Sequence, residues 1–102
     1  MTDSVPPDPP SLTGPDGKPL IDYPSVYTFK VMGIQEHGFS EYVRALFKRL
    51  MGTEVSPDSI NVQPSSKNKY ISVNVTVYLL SEEHRRTIYA ELHKDKRVIY
   101  YL

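Results

Sequence analysis

The run from Tyr70 to Leu79 restricts the fold of this chain most, because apolar and polar side chains alternate along it without a break. Successive side chains of a β-strand point to opposite faces, so the alternation predicts a strand with one apolar and one polar face. Such a strand belongs to an antiparallel sheet that is covered on one side only. The apolar face holds Ile71, Val73, Val75, Val77 and Leu79, and the other face holds Tyr70, Ser72, Asn74, Thr76 and Tyr78.

Helical spacing of apolar residues predicts two helices, one before and one after this strand. For the first helix, Ser40 with Glu41 gives the start signal and Gly52 the stop. For the second, Ser81 is the expected N-cap, and acidic residues follow it where the helix dipole favours them. The inner stripes consist of Phe39, Val43, Leu46, Phe47 and Leu50 in the first helix, and of Arg85, Ile88, Tyr89 and Leu92 in the second.

Three further strands are predicted from β-branched and aromatic residues. The first runs from Val26 to Met32 and is broken by Gly33. The second, Ser59 to Gln63, ends before Pro64, which favours a sheet edge because proline cannot donate to a ladder. The last runs from Lys96 to Leu102. The residues expected to share an inner face are Tyr27, Phe29 and Val31 in the first of these strands, and Val98, Tyr100 and Leu102 in the last.

This order of elements predicts an α+β fold of the ferredoxin-like β-α-β-β-α-β type. The four strands form one antiparallel sheet in the order 4-1-3-2, with both helices on one face, and the right-handed crossover rule selects this topology over its mirror image. The uncovered face of the sheet is therefore a candidate interaction surface. Its predicted members are Thr28, Lys30, Ser72, Asn74, Thr76, Tyr78 and Tyr101.

Residues 1–22 differ in composition from the rest of the chain. They hold four acidic side chains and one basic one, a net charge of −3, so the other 80 residues carry +3 within a neutral total. Six of the nine prolines and no aromatic residue lie there, which predicts a disordered, proline-rich acidic leader followed by one domain at 23–102. The acidic, proline-broken start is unlike a signal peptide, so we expect a cytoplasmic protein.

Two sequence motifs resemble those of the YbeD-like family of small bacterial proteins: FKVMG in the first strand and PSSKNKYISVNV around the hairpin before Tyr70. The resemblance covers Tyr23 to Leu102. It implies a ferredoxin-like fold similar to amino-acid-sensing ACT regulatory domains, with no established activity, and it suggests a regulatory part in lipoate attachment. This chain departs from the family pattern in its leader and at Asn68, where glycine is usual.

The resemblance to ACT domains makes the loop after the first strand a candidate ligand site. Backbone amides at a helix N-terminus attract a carboxylate, but the Pro-Gly step usual in such loops is missing, which favours a plain connecting loop. Its candidate residues are Gly33, Gln35, His37 and Gly38.

The hairpin from Pro64 to Tyr70 is a candidate site for an anion or a partner, because it combines hydroxyls with lysines. The alternative is a solvated hairpin whose lysines discourage aggregation at the sheet edge. Its candidate residues are Ser65, Ser66, Lys67, Lys69 and Tyr70.

The sequence gives little support to catalysis. Cysteine is absent, His84 and His93 lie two and a half turns apart, and no serine sits in a nucleophile elbow. We therefore expect no enzyme, metal or cofactor, but a regulatory or adaptor domain that binds a protein partner or forms a homodimer. A small-molecule sensor for amino-acid-like ligands is the alternative. The second alternative is a weak single-stranded RNA binder. An RNA-recognition motif has the same strand order and stacks bases on aromatic side chains of its sheet. Tyr70 matches the first stacking position of the third strand, but Ser72 occupies the second, where the motif has another aromatic residue.

Overall fold

The computed structural model of the chain describes residues 21–36, 38–65, 67 and 69–102. The predicted leader lies almost wholly outside these residues, as do His37, Ser66 and Asn68. The elements in chain order are β1 (Ser25–Ile34), α1 (Phe39–Met51), a 3-10 turn (Pro57–Ser59), β2 (Ile60–Pro64), β3 (Tyr70–Leu79), α2 (Glu82–Lys94) and β4 (Tyr100–Tyr101).

The four strands form one antiparallel sheet in the order β2-β3-β1-β4, which confirms the predicted ferredoxin-like α+β topology. β1 and β3 pair along their full length, from Ser25 opposite Leu79 to Ile34 opposite Tyr70. β2 pairs with only the first half of β3. Its first residue, Ile60, lies opposite Val75, and no residue of β2 lies opposite the rest of β3. The second half of β3 consequently has a neighbouring strand on one side only.

The core lies between the sheet and the two helices. Phe29 of β1 is at its centre, with its ring centroid 4.8 Å from that of Tyr27, 5.6 Å from Phe47 and 5.0 Å from Tyr89. These contacts join one strand to both helices, so the two helices cover the same face of the sheet. The buried core residues are Phe29, Val31, Phe39, Val43, Leu46, Phe47, Val55, Ile71, Val73, Val75, Val77, Leu79, Ile88, Tyr89 and Leu92.

Two predicted element boundaries are wrong. Helix α1 is not capped by Ser40; its N-cap is Gly38, in the left-handed region at φ +75°, and no side chain caps the helix. Gly33 does not end β1 but lies within it, and a Cβ there would sit 2.4 Å from the Phe39 ring. Glycine at this position is therefore explained by a close approach of a side chain rather than by a strand end.

The face assignment of the last strand is wrong for Tyr100 and Leu102, whereas Val98 packs against the core as predicted. Tyr101 is opposite Val31 and packs against the core, whereas Tyr100 and Leu102 are exposed on the other side. Only two residues of the predicted strand pair in register, because a turn held by the bond from Val98 N to Asp95 O occupies its beginning. The turn shifts the alternation by one residue, and a shift of one exchanges the two faces.

Candidate interaction surfaces

The side of the sheet opposite the helices is exposed along all four strands, and we call it the open face. Residues that alternate with the core positions of each strand belong to it, together with their cross-strand partners. The open face consists of Val26, Thr28, Lys30, Met32, Ile34, Asn61, Gln63, Tyr70, Ser72, Asn74, Thr76, Tyr78, Tyr100 and Leu102.

The centre of the open face is polar, and its ends are apolar. In the centre, the hydroxyls of Thr28 and Thr76 are hydrogen-bonded at 2.9 Å. At one end Val26, 66% exposed, lies opposite Tyr78, 56% exposed. At the other end exposed Ile34 lies opposite exposed Tyr70.

The open face is poor in charge. Lys30 is the one charged side chain among its members, and it lies opposite Asn74. Interfaces between proteins are likewise depleted of charge at their core and enriched in tyrosine. Three tyrosines lie on this face, namely Tyr70, Tyr78 and Tyr100.

Six of the seven predicted interaction residues lie together on the open face: Thr28, Lys30, Ser72, Asn74, Thr76 and Tyr78. Ser72 contributes little surface, since it is only 7% exposed. Tyr101 does not belong to the face. Its hydroxyl instead lies 3.1 Å from His93 Nδ1, on the helix side. Tyr100 and Leu102 were missed because the phase of β4 cannot be read from a strand of two residues.

The loop after β1 is packed more tightly than a ligand site requires. Besides the Phe39 ring, the carbonyl oxygen of Arg97 would lie 2.8 Å from a Cβ on Gly33. The Gln35 amide donates to the carbonyl of Lys69 at 2.8 Å, so it is already engaged. The cavity beside the loop is about 120 Å³, below the ~300–1,000 Å³ of ordinary ligand pockets. His37 lies outside the described residues, and ligand binding here stays a prediction.

In the hairpin before β3, Ser65 has a structural role. Its hydroxyl accepts hydrogen bonds from the backbone amides of Lys69 and Tyr70, at 3.2 and 3.1 Å. The Lys69 ammonium lies 5.4 Å from the centroid of the Tyr70 ring, and Lys67 is exposed. Ser66 lies outside the described residues, so the complete set of candidate anion ligands stays a prediction.

A buried arginine forms the most elaborate polar cluster of the described residues. The side chain of Arg85 is fully buried, and its guanidinium donates to both carboxylate oxygens of Glu82, at 3.2 and 3.1 Å. The hydroxyl of Tyr23 donates to the same carboxylate at 2.6 Å. Behind the guanidinium, the hydroxyls of Tyr27 and Tyr89 are hydrogen-bonded to each other at 2.8 Å.

The pKa values in this cluster follow from burial and from the contacts. Burial acts to raise the pKa of the Glu82 carboxyl, but the hydrogen bonds from Tyr23 and Arg85 outweigh it and hold the pKa below its ordinary value. Burial, aided by the hydrogen bond with Tyr27, raises the pKa of the Tyr89 hydroxyl well above its ordinary value. Both groups therefore keep a fixed protonation state near neutrality, which suits a structural clamp better than proton transfer.

The two described histidines contact different parts of the fold. His84 Nε2 is 3.2 Å from the carbonyl oxygen of Leu50, at the end of α1, whereas His93 contacts Tyr101 near β4. Among the described residues, no three histidine or carboxylate side chains are grouped so that they could hold a metal ion. No helix in that part of the chain is long and apolar enough to cross a membrane.

The fold and the surfaces define a small ferredoxin-like α+β protein with one uncovered sheet face. A solved structure of similar fold is the solution structure of protein HP0495 from H. pylori, with a TM-score of 0.62 at 20% identity, covering 86% of this chain and 91% of that one. The family model of DUF493, described as protein of unknown function, matches residues 18–102. The chain belongs to this family.

Curated relatives carry the family name UPF0250. The protein from Idiomarina loihiensis is 34% identical over 83 residues, which cover 81% of this chain and 91% of the relative. The protein from Erwinia tasmaniensis is 35% identical over 75 residues, which cover 74% and 83%. The predicted membership of the YbeD-like family is confirmed by these matches.

Proposed function

We propose that this domain is a non-enzymatic regulatory or adaptor module that acts by protein association through its open face, with a second copy of the chain as the occupant. The observation that carries the proposal is the grouping of exposed apolar side chains. Of the nine large apolar residues exposed in the described part of the chain, six lie on the open face: Val26, Ile34, Tyr70, Tyr78, Tyr100 and Leu102.

A second copy suits this surface because the surface is nearly uncharged. A two-fold interface brings the same patch of both chains together, so a patch with many like charges would repel itself. With Lys30 as its one charged side chain, the open face avoids most of that cost. The central hydroxyls of Thr28 and Thr76 can exchange hydrogen bonds with a partner that also presents hydroxyls.

Light scattering after size-exclusion chromatography tests the dimer on the full chain. Wild-type protein is expected to show twice the chain mass at high concentration and a falling mass on dilution. Thr28→Arg places a charge at the centre of the open face and should leave a monomer. Thr87→Arg makes the same change on an exposed position of α2 and should behave as wild type. A monomeric wild type at every concentration would show that the open face is not a self-association surface.

The finer interpretations rest on the family resemblance and, for the cellular location, on the composition of the first residues. A part in lipoate attachment, a cytoplasmic location and amino-acid sensing at the loop after β1 remain predictions. A ligand would stabilise the folded state by RT ln(1 + [L]/Kd), so thermal melts with amino acids, lipoate and nucleotides test the sensor. The single-stranded RNA alternative is tested by salt-dependent retention on RNA.

A further inference from the structure

The second half of β3 has an unpaired backbone edge. The Gln35 amide bonds the Lys69 carbonyl, and the Ser65 amide bonds the Tyr70 carbonyl. Backbone groups alternate in direction along a strand, so odd-numbered residues of β3 bond to β1 and even-numbered ones face β2. The pairing of Ile60 with Val75 uses the N–H of Thr76, which faces the carbonyl of Ser59. β2 does not continue beyond this bond, so the C=O of Thr76 and the N–H and C=O of Tyr78 point to a side with no strand. The facing Ser59 amide donates to the carbonyl of Ser56 instead, at 2.9 Å.

A groove of about 470 Å³ runs along this edge. Its far wall is the segment between α1 and β2, and both apolar and polar side chains line it. Leu80 at one end of the groove is 67% exposed. The side chains that matter for binding are Met51, Val55, Ser56, Ser59, Leu80 and His84.

The rim of the groove imposes no strong charge requirement. Glu54 on the rim is held by Lys48, with Nζ 2.8 Å from a carboxylate oxygen, and by Arg44 at 3.9 Å. Its charge is therefore matched by cations of α1 before any ligand arrives. A ligand of the groove therefore has two features left to match. One is the row of backbone donors and acceptors along β3, and the other is the apolar wall.

We infer that the groove binds an extended peptide segment of a partner protein, which adds a strand to β3 at Thr76 to Tyr78 and places an apolar side chain against Met51, Val55 and Leu80. An extended backbone presents the alternating N–H and C=O groups that this edge lacks, and this is the basis of recognition by strand addition. An apolar small molecule of the same volume would leave the edge unpaired. The groove lies beside the open face, and its binding does not depend on the proposed dimer.

Hydrogen exchange measured by NMR on the full chain tests the free edge. The amide of Tyr78 should exchange about tenfold faster than those of Val75 and Val77, because only the latter bond to β1. Equal protection at every protein concentration would show that the chain itself already covers the edge. Protection that grows with concentration in the monomeric variant Thr28→Arg would show that a second copy occupies the edge itself. Either result would overturn the inference.

Peptide binding is tested by NMR titration with an acetylated and amidated six-residue peptide of alternating threonine and valine. The amide resonances of Thr76 and Tyr78 should shift. The same peptide N-methylated at every residue lacks the N–H donors on both edges and should shift neither. No shift up to the solubility limit of the unmethylated peptide, or equal shifts with both peptides, would contradict strand addition.

Two pairs of variants and one single variant locate the binding. Tyr78→Pro removes the edge N–H that bonds no strand, so it should abolish the peptide shifts of the neighbouring β3 amides, whereas Tyr78→Ala should keep them. Leu80→Arg should block the groove, whereas Ile99→Arg, at an apolar residue of 49% exposure outside it, should not. If the proline variant does not fold, Leu80→Arg still tests whether the peptide binds in the groove. Equal peptide binding by Leu80→Arg and Ile99→Arg would refute this site. Thr28→Arg should lose the dimer and keep the peptide shifts, which separates this inference from the proposed function.

Discussion

At the scale of single residues, Arg85 shows how a charged side chain can occupy a core position. Its guanidinium is enclosed by the rings of Tyr27 and Tyr89, with centroids 5.6 and 5.4 Å away, and its charge is matched by Glu82. A buried charge is tolerated only when it is paired and hydrogen-bonded. The helical spacing predicted that Arg85 points inward, but it gave no sign of the partners, which come from β1, from Tyr23 and from the first turn of α2.

Glu82→Gln is expected to lower the free energy of unfolding at pH 7 by about 2 kcal/mol, since hydrogen bonds to a charged group are lost. The pKa of Glu82 is lowered in the folded state, so its contribution is present above the unfolded pKa of about 4.3 and is lost as the pH falls through the folded value. The difference between wild type and variant, measured by urea unfolding, should therefore be constant from pH 7 to about pH 5 and shrink towards pH 3.

The matched control is Glu83→Gln, in the same helical turn but exposed. We expect it to change stability by only a few tenths of a kcal/mol, through the helix dipole. If Glu82→Gln lowers the free energy of unfolding as much at pH 3 as at pH 7, the ionised carboxylate is not the stabilising species.

Gly33→Ala tests whether glycine in the candidate ligand loop serves packing. The added Cβ would overlap the Phe39 ring and the Arg97 carbonyl, and overpacking of this kind costs about 1–3 kcal/mol. Combining it with Phe39→Leu should cost less than the sum of the two single changes, because they share one contact. Strict additivity in urea unfolding would contradict the packing explanation.

At the scale of elements, the two helices begin by different means. Helix α2 has a side-chain cap, in which the Ser81 hydroxyl accepts a hydrogen bond from the His84 amide at 3.1 Å. Helix α1 instead begins at Gly38, whose left-handed conformation turns the chain into the helix without a side-chain bond. The serine that precedes an acidic residue is thus a cap in one helix and an ordinary first-turn residue in the other.

Ser81→Ala is therefore expected to destabilise the protein by about 1 kcal/mol, because a helix amide loses its acceptor. Ser40→Ala should change stability by no more than about 0.5 kcal/mol, since its side chain caps nothing. The two substitutions are chemically identical, and their unfolding midpoints can be compared directly. Equal losses would mean that the caps do not account for the difference.

The same contrast explains how far the sequence predicts the elements. The bounds of β3 and both of its faces were predicted correctly, because ten residues of alternation leave one possible register. The faces of the β4 residues were not predicted correctly, because two paired residues after a turn are too few to show a periodic pattern. The groove beside Thr76 and Tyr78 was missed for another reason: it exists only because β2 is shorter than its neighbour, and a difference in length has no sequence motif.

At the scale of the whole molecule, the two central strands connect everything else. β1 and β3 pair over ten residues, each carries one edge strand, and both helices pack on their inner face. Phe29 is the residue at which these layers meet, since its ring touches one residue of its own strand and one of each helix. A single core of this kind predicts that the sheet and the helices unfold together.

Phe29→Ala should lower the free energy of unfolding by about 3–5 kcal/mol, because a fully buried aromatic side chain is removed and the rings around it cannot close the cavity. The control is Val62→Ala on the edge strand β2, where the half-exposed side chain is expected to cost less than about 1 kcal/mol. Urea unfolding is followed by far-UV circular dichroism, which reports the helices and sheet, and by tyrosine fluorescence, which reports packing. The two probes should give one midpoint for the wild type and one, lower, for Phe29→Ala. Separate midpoints would show that β1 and the helices do not share the one cooperative core that Phe29 occupies.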